Sequence, residues 1–333
     1  MATARDVARR AGTSTAVVSY VFNDGPRGVA PATRQKVLDA AAELGYRPNA
    51  LARSLSSGRT HSIGLIVPDI CNPYFAELAR AIEDAAGVRG NLLLIADSAL
   101  SAEQERRHTR SLVERQVDSV VLVSVCDEPD LGEFFEAGIP VVALHPISDR
   151  ERASSITIDY EAAAQRATEH LLAHGYGSIV LLNGPVESTG ARQHRAGFDR
   201  AVAGAEGVRA WTIRSEISRH DAAESAYALL SGADRPRAVY CTTDEQAFGV
   251  LYAAHRAGLT VPDDLAVVGF DGTRNCLVSI PALTTVQQPT EAMARRVVEI
   301  LAGRTVDDDP VHEVLGFEFV ARASSGGPTP GSA

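Results

Sequence analysis

The pattern of apolar and polar residues changes in character near residue 60 of this 333-residue chain. Before that point, apolar residues recur at helical spacing in a few short segments. After it, short apolar runs alternate with longer amphipathic segments. The pattern therefore predicts a small all-helical head followed by a larger α/β body.

Three short helices are predicted in the head, at residues 4–11, 15–22 and 31–44. Gly12 and Gly45 stop the first and third helices, and Pro31 opens the third. Val37, Leu38, Ala41 and Leu44 give the third helix one apolar face. We expect the core of the head to contain these side chains: Val7, Ala8, Val18, Val21 and Leu38.

A fourth short helix is predicted to begin at Pro48-Asn49 and to end near Leu55, within a hinge and linker of residues 48–60. Seven residues are too few for a helix that is stable alone. It could fold when it meets a second copy of itself and DNA. The polar run Ser56–Thr60 after it is the clearest domain boundary in the chain.

Strand-like and helix-like segments alternate from His61 onward, which predicts βαβ units and mostly parallel sheets. A second series begins after Ile156–Ile158, so two similar lobes with a cleft between them are expected. We assign about 61–158 and part of 283–302 to the first lobe, and about 159–282 with 303–322 to the second. Residues 323–333 are rich in Ser, Gly and Pro and predict a disordered tail.

Charge is divided unevenly along the chain. Residues 1–60 contain nine Lys/Arg and four Asp/Glu, whereas the remainder contains 23 Lys/Arg and 38 Asp/Glu. A basic head on an acidic body can hold phosphates at one end only.

The first two helices have the spacing of a helix-turn-helix, whose second helix enters the major groove of DNA. Its first residues, Thr15 and Ala16, and Tyr20 one turn later would then meet base edges. The residues suited to phosphates are Ser14, Ser19, Asn23 and Arg34. The alternative is a small helical packing domain with solvated charges.

Targeting, redox and metal signals are weak. The N-terminus lacks an apolar signal core, and no run of about 20 apolar residues that could span a membrane is present. The four cysteines lie far apart and show no metal-binding spacing. We expect a cytoplasmic protein with reduced thiols, no metal and no cofactor.

Several motifs resemble the lactose/galactose repressor family. They include Asp6-Val7-Ala8, Thr33-Arg34-Gln35-Lys36-Val37, Leu44–Asn49, Ala52–Leu55, Ser62–Asp69, Asn72–Phe75, Val267–Asp271 and Pro281–Val286. The resemblance covers roughly residues 2–322. It implies a homodimer, or a higher assembly, that binds a pseudo-palindromic operator and responds to a small-molecule effector. Its core would resemble periplasmic binding proteins.

The same resemblance implies roles for the head. Thr15, Ala16 and Tyr20 would read bases, and Leu55 would act as a wedge in the minor groove. Asn49 and Ala52 complete the predicted DNA-contacting set, since small Ala52 allows two hinge helices to approach closely.

Residues just past strand ends should line the cleft, because open α/β sheets bind ligands there. The predicted effector-binding residues are Asp69, Tyr74, Phe75, Ser124, His145, Tyr160, Arg192, His194, Asp244, Asp271 and Gln288. Carboxylates, an amide and aromatic rings suit a sugar, a nucleoside or a related polar metabolite. For each aspartate the alternative is a helix N-cap.

The chain departs from the family pattern inside this set. His194 occupies a position where the family usually has an arginine that clamps the effector. Either the register slips and Arg192 or Arg195 serves, or the ligand is chemically different. His145, Tyr160 and Thr243 also replace residues that are common in the family.

Two other function classes are weighed against an effector-controlled repressor. A solute-binding protein for transport would fit the core, but the basic head and the missing signal segment oppose it. An enzyme is disfavoured because the chain has no GxGxxG, phosphate loop, HExxH or GxSxG motif, and Glu313 and Glu318 resemble solvated strand faces. Whether the effector weakens or strengthens DNA binding is open.

Overall fold

The computed structural model describes residues 2–23, 28–47, 54, 58–147, 150–185 and 188–326. The chain divides into two compact units, a helical head at Met1–Ser62 and an α/β core at Ile63–Ala333. The hinge residues Asn49, Ala52 and Leu55 lie outside the described residues.

The head contains the helices α1 (Ala4–Ala11), α2 (Thr15–Asn23) and α3 (Pro31–Glu43). Thr3 opens α1 with a capping box, in which its hydroxyl accepts from Asp6 N and the Asp6 carboxylate accepts from Thr3 N. Gly12 ends α1 with a φ of 66°, a conformation that costs glycine little. The capping box and Gly12 therefore fix the two ends of α1.

Small aliphatic side chains fill the core of the head. Those that are buried are Val7, Ala8, Val18, Val21, Val37, Ala40 and Ala41. The prediction for Leu38 was wrong, because this side chain is 36% exposed. Val37, Ala40 and Ala41 follow the i, i+3, i+4 spacing of one helix face, and Leu38 lies about 100° around the helix from that face.

The first lobe of the core contains β1 (Ser62–Val67), α4 (Pro73–Gly87), β2 (Leu92–Asp97), α5 (Ala102–Glu114), β3 (Ser119–Leu122), α6 (Gly132–Glu136), β4 (Val141–Ala143) and β5 (Ser154–Ile158). The second contains α7 (Tyr160–Ala173), β6 (Ser178–Asn183), α8 (Thr189–Ala203), β7 (Arg209–Arg214), α9 (Arg219–Leu230), β8 (Ala238–Cys241), α10 (Asp244–Arg256), β9 (Ala266–Asp271) and β10 (Thr284–Gln287). The chain then returns through α11 (Thr290–Leu301), β11 (His312–Leu315) and β12 (Glu318–Val320).

Each lobe is built on a six-stranded sheet, with the strand orders β11-β5-β4-β3-β1-β2 and β12-β10-β9-β8-β6-β7. The described pairings are parallel except that of β10 with β12. β1, β3 and β4 are fully buried, as strands covered by helices on both faces must be. This confirms the predicted two-lobed α/β core with parallel sheets.

Three predictions about the end of the chain were wrong. β11 belongs to the sheet of the first lobe, where it pairs with β5, although residues 303–322 were assigned to the second. Glu313 on β11 accepts from Arg296 of α11 at 2.6 to 2.8 Å, so it is not simply solvated. Ser324 and Ser325 are fully buried in a short 3-10 helix, so the predicted disordered tail is wrong for residues 323–326, and residues 327–333 lie outside the described residues.

Glycines set the closest helix crossings of the second lobe. A Cβ on Gly197 of α8 would lie 2.0 Å from the Glu161 carbonyl oxygen and 2.9 Å from the Ala164 Cβ, both on α7. The crossing therefore requires the absence of a side chain at this position.

Gly197→Ala should lower the free energy of unfolding by about 2 kcal/mol or more, because the added methyl overpacks backbone that cannot move alone. The measurement is the midpoint of urea unfolding followed by circular dichroism. Gly204→Ala is the matched control, since a Cβ there would meet nothing within 4 Å. Equal midpoints for Gly197→Ala and the unmodified protein would contradict the proposed crossing.

Candidate effector cavity and DNA-binding head

The exposed face of α2 presents the residues predicted to contact DNA. Thr15, Ala16 and Ser19 are exposed and Tyr20 is half-buried, while Val18 and Val21 on the other side enter the core. These four positions lie on one face of the helix, as groove entry requires.

The residues predicted to contact phosphates lie around this helix. Ser14 caps α2, because its Oγ accepts from Val17 N at 3.3 Å. Arg34 is exposed in the first turn of α3. Asn23 is the last residue of α2. Their contacts with DNA stay predictions.

A cavity of about 360 Å³ lies between the two lobes of the core. It is lined mainly by residues that follow the carboxyl ends of β1, β3, β4, β6, β8 and β9, the edge at which parallel sheets bind ligands. The predicted residues that line it are Asp69, Tyr74, Phe75, Ser124, His145, Tyr160, His194, Asp271 and Gln288.

Asp244 and Arg192, the other two predicted effector residues, are not among the lining residues. The Asp244 carboxylate is buried and accepts from Thr273 N and Oγ1 at 2.8 and 3.0 Å and from Thr285 Oγ1 at 2.7 Å. Burial raises its pKa, although these hydrogen bonds oppose the shift. Asp244 therefore joins α10 to β10 and to the loop after β9.

Arg192 is half-exposed on α8 and donates to Asp127 Oδ2 at 3.1 Å and to Thr189 Oγ1 at 2.7 Å. Asp127 lies in the loop after β3 of the first lobe, so this ion pair crosses the cleft. Asp127 was not among the predicted effector residues, although the acidic residues that follow β3 were a signal for it.

Asp127 also binds the N-terminus of α8 directly. Both of its carboxylate oxygens accept from Thr189 N, at 2.8 and 2.9 Å. Burial opposes its ionisation, but the hydrogen bonds from Thr189 and Arg192 prevail and lower its pKa. Helix α8 begins at Thr189 because Ser188 caps it, with the Ser188 hydroxyl accepting from Ala191 N.

Aromatic rings form one wall of the cavity. The rings of Tyr160 and Phe270 stack with centroids 5.6 Å apart and an interplanar angle of 19°. The His194 ring meets Phe270 edge-on at 4.6 Å and its Nδ1 lies 2.8 Å from the Tyr240 hydroxyl. Such a wall offers flat apolar surface to a ring-shaped ligand.

A chain of hydrogen bonds crosses the floor of the cavity. Tyr74 of the first lobe donates to Gln288 Oε1 at 3.2 Å, and Gln288 Nε2 donates to Asp271 Oδ1 of the second lobe at 3.0 Å. Asp271 has a φ of 123°, an uncommon conformation for a residue with a side chain. Burial and then the charge of Asp244 raise the pKa of Asp271 well above its usual range.

Comparison with known proteins relates both units to one family. Residues 3–49 match the model described as bacterial regulatory proteins, lacI family, and residues 168–325 match a periplasmic binding protein-like domain. Catabolite control protein A of Priestia megaterium is 35% identical over 322 residues, covering 94% of this chain and 97% of that protein. The chain belongs to the lacI family.

A second lacI-family relative is the HTH-type transcriptional repressor PurR of Photobacterium profundum, at 33% identity and 96% coverage of both chains. The structure of the Lac repressor dimer bound to operator and the anti-inducer ONPF has a TM-score of 0.83 at 25% identity, covering 97% of this chain and 99% of that one. These relatives are transcription regulators, which confirms the family predicted from sequence.

His194, at the position where the resemblance implies an arginine, lines the cavity. The two arginines that could take its place have other partners. Arg192 is bound to Asp127, and Arg195 donates to Asp199 at 2.7 Å on the exposed side of α8. No arginine therefore replaces His194 among the described lining residues.

The cavity histidines are held in their neutral form. Burial lowers the pKa of His194 to about 3 and that of His145 to about 4. His145 Nε2 is buried without a hydrogen-bond partner among the described residues. A ligand atom in the cavity could satisfy this nitrogen.

The pKa of His194 makes stability depend on pH. Its folded pKa is depressed, so its contribution is fully present above the unfolded value near 6.5 and is lost as pH falls toward about 3. His194→Gln should remove up to about 2 kcal/mol of the stability loss between pH 7 and pH 5. Urea unfolding at both pH values measures this difference.

The matched control is His220→Gln, which changes an exposed histidine on α9. It should leave the pH dependence of the unmodified protein intact. If both variants keep the same dependence, the His194 imidazole is not held neutral by burial.

Proposed function

We propose that this chain is a transcription repressor that binds a pseudo-palindromic operator as a homodimer under the control of a small-molecule effector. The observation that carries the proposal is the joining of a helix-turn-helix head and a two-lobed core with an interlobe cavity in one chain. A repressor acts on chromosomal DNA, so we place its action in the cytoplasm.

Contacts across the cleft supply the element on which an effector would act. Asp127 of the first lobe accepts from Thr189 N of the second, and on another part of the cleft Glu77 of α4 accepts from Arg274 N at 3.0 Å. An effector that binds one lobe angle more tightly shifts the population toward it. By linkage, operator DNA then changes effector affinity by the same factor.

The direct test is a gel-shift titration of the full chain on palindromic sites near its own gene, with and without candidate effectors. We expect specific binding whose affinity changes when an effector is added. Binding that is equally weak on every sequence would overturn the proposal.

Tyr20→Ala should change which operator is preferred, because Tyr20 lies on the exposed face of α2 that would meet base edges. Arg34→Ala should weaken binding to all sequences alike and reduce its salt dependence, because it removes a phosphate contact but no base contact. Competition gel shifts with operator and scrambled duplexes separate the two effects.

Here each variant is the control for the other. A uniform loss of affinity in Tyr20→Ala, or altered sequence preference in Arg34→Ala, would contradict the roles assigned to these residues.

An exposed apolar segment supports the homodimer. Leu277, Val278 and Ile280, in and after the 3-10 helix Arg274–Leu277, are 64%, 77% and 94% exposed. Three neighbouring apolar side chains facing water are unusual on a monomer and typical of an association surface.

Val278→Asp should shift the protein from dimer to monomer and weaken operator binding, because a charge enters an apolar interface. Sedimentation velocity measures the assembly state. Val314→Asp is the matched control, because Val314 is also an exposed valine, at 68%, but lies on β11 in the sheet of the first lobe. An unchanged dimer in Val278→Asp would exclude this segment from the interface.

A further inference from the structure

The carboxyl group of Asp244 binds the residue that precedes the exposed apolar side chains Leu277, Val278 and Ile280, which we call the association segment. Cys276 is fully buried in the short 3-10 helix that also carries Leu277, and its Sγ donates to Asp244 Oδ2 at 3.1 Å. Neighbouring side chains of one short helix are therefore divided between a buried carboxyl group and the surface.

The same carboxyl oxygen holds the loop that leads away from the cavity floor. Thr273 donates to Asp244 Oδ2 from its N at 2.8 Å and from its Oγ1 at 3.0 Å. Thr273 follows the cavity-lining residue Asp271 by two positions and precedes Cys276 by three. One oxygen therefore binds both residues of the turn that joins the cavity floor to the association segment.

The other carboxyl oxygen holds strand β10. Thr285 is fully buried, and its Oγ1 donates to Asp244 Oδ1 at 2.7 Å. Three residues later, Gln288 bonds to Tyr74 and to Asp271 across the floor of the cavity. The two oxygens of Asp244 thus contact two elements, one that leads to the cavity floor and one that leads to the association segment.

Strand β9 leaves the space that this carboxyl group occupies. A Cβ on Gly269 would lie 2.5 Å from Asp244 Oδ1 and 3.0 Å from Leu283 Cδ2. The hydroxyl and thiol partners of Asp244 can donate or accept, so the contacts do not depend on whether the carboxyl group is ionised. A satisfied buried network favours a single arrangement, because each lost bond leaves a buried polar group unpaired.

We propose that Asp244 is a positioning residue that fixes the association segment relative to strand β10 and the cavity floor, so that a change at β10 alters dimer affinity. The inference rests on the proposed function, because it takes the association segment as the surface between two copies of this chain. The apparent affinity falls with the fraction of molecules whose segment is in place. Both copies contribute a segment, so loosening it weakens the dimer twice.

Cys276→Ala removes one donor to Asp244 without changing a surface side chain, and it should raise the dimer Kd about fivefold or more. Cys276→Ser keeps a donor and should restore most of the affinity. If the cysteine only filled the core, serine would be worse than alanine, because it would bury a hydroxyl without a partner. Sedimentation velocity over a concentration series of the full chain measures the dimer Kd.

Thr285→Val keeps the shape of a buried side chain but removes its hydroxyl from Asp244. It should raise the dimer Kd about threefold or more, although Thr285 lies on β10 and outside the association segment.

Each substitution has a matched control in the same lobe. Cys241→Ala changes another fully buried cysteine, on β8, and Thr168→Val changes another fully buried threonine, whose hydroxyl donates to Ala164 O within α7. Both controls should leave the dimer Kd unchanged. Circular dichroism and the midpoint of urea unfolding establish that each variant is folded.

The inference is overturned if Cys276→Ala or Thr285→Val leaves the dimer Kd unchanged, or if Cys276→Ser weakens the dimer as much as Cys276→Ala. It is also overturned if the controls weaken the dimer equally. Val278→Asp shows which idea has failed. A dimer that withstands Val278→Asp removes the association segment from the proposed function. A dimer that dissociates in Val278→Asp but is unaffected by the two buried changes contradicts only the role of Asp244.

Discussion

The hydrogen-bond chain from Tyr74 through Gln288 to Asp271 is the interaction on which the arrangement of the core depends. It starts at Tyr74 on the first helix of the first lobe and passes through Gln288, in the segment that returns the chain to that lobe. It ends at Asp271, the last residue of β9 in the second lobe. Each bond contributes only about 1 kcal/mol net. Leaving any of these buried groups unpaired would cost more, so the chain holds the two walls of the cavity in register.

Much of the fold follows from local sequence. The buried strands are short apolar runs, and the helices between them carry their own caps, such as Asn72 for α4 and Ser101 for α5. The pattern of apolar and polar residues led to wrong predictions for segments whose structure depends on partners that are remote in sequence. β11 is a half-polar strand that exists because it pairs with β5, and Ser324 is buried because its hydroxyl donates to Val267 O at 2.6 Å.

The cavity was predictable in outline because parallel strands end at one edge, but the roles of single aspartates were not. Asp69 accepts from Cys71 N in a local turn, Asp159 caps α7, Asp244 is enclosed in the core and Asp271 lines the cavity floor. All four follow or lie near strand ends, so spacing alone cannot separate them. The choice depends on which donors the neighbouring elements bring within reach, and those elements are remote in sequence.

The contact between Asp127 and the N-terminus of α8 has a consequence for the separation of the two lobes. The N-terminus of a helix is usually capped by a residue of the same lobe, and Ser188 caps α8 in this way. The acceptor for Thr189 N, however, is Asp127 on the other side of the cleft. Separating the lobes would expose a helix dipole and a carboxylate to water at the same moment. The width of the cleft is thereby tied to the stability of the first turn of α8, because Asp127 of the first lobe binds both Thr189 N and Arg192 in that turn. Opening the lobes would therefore remove one of the two acceptors that hold the start of α8.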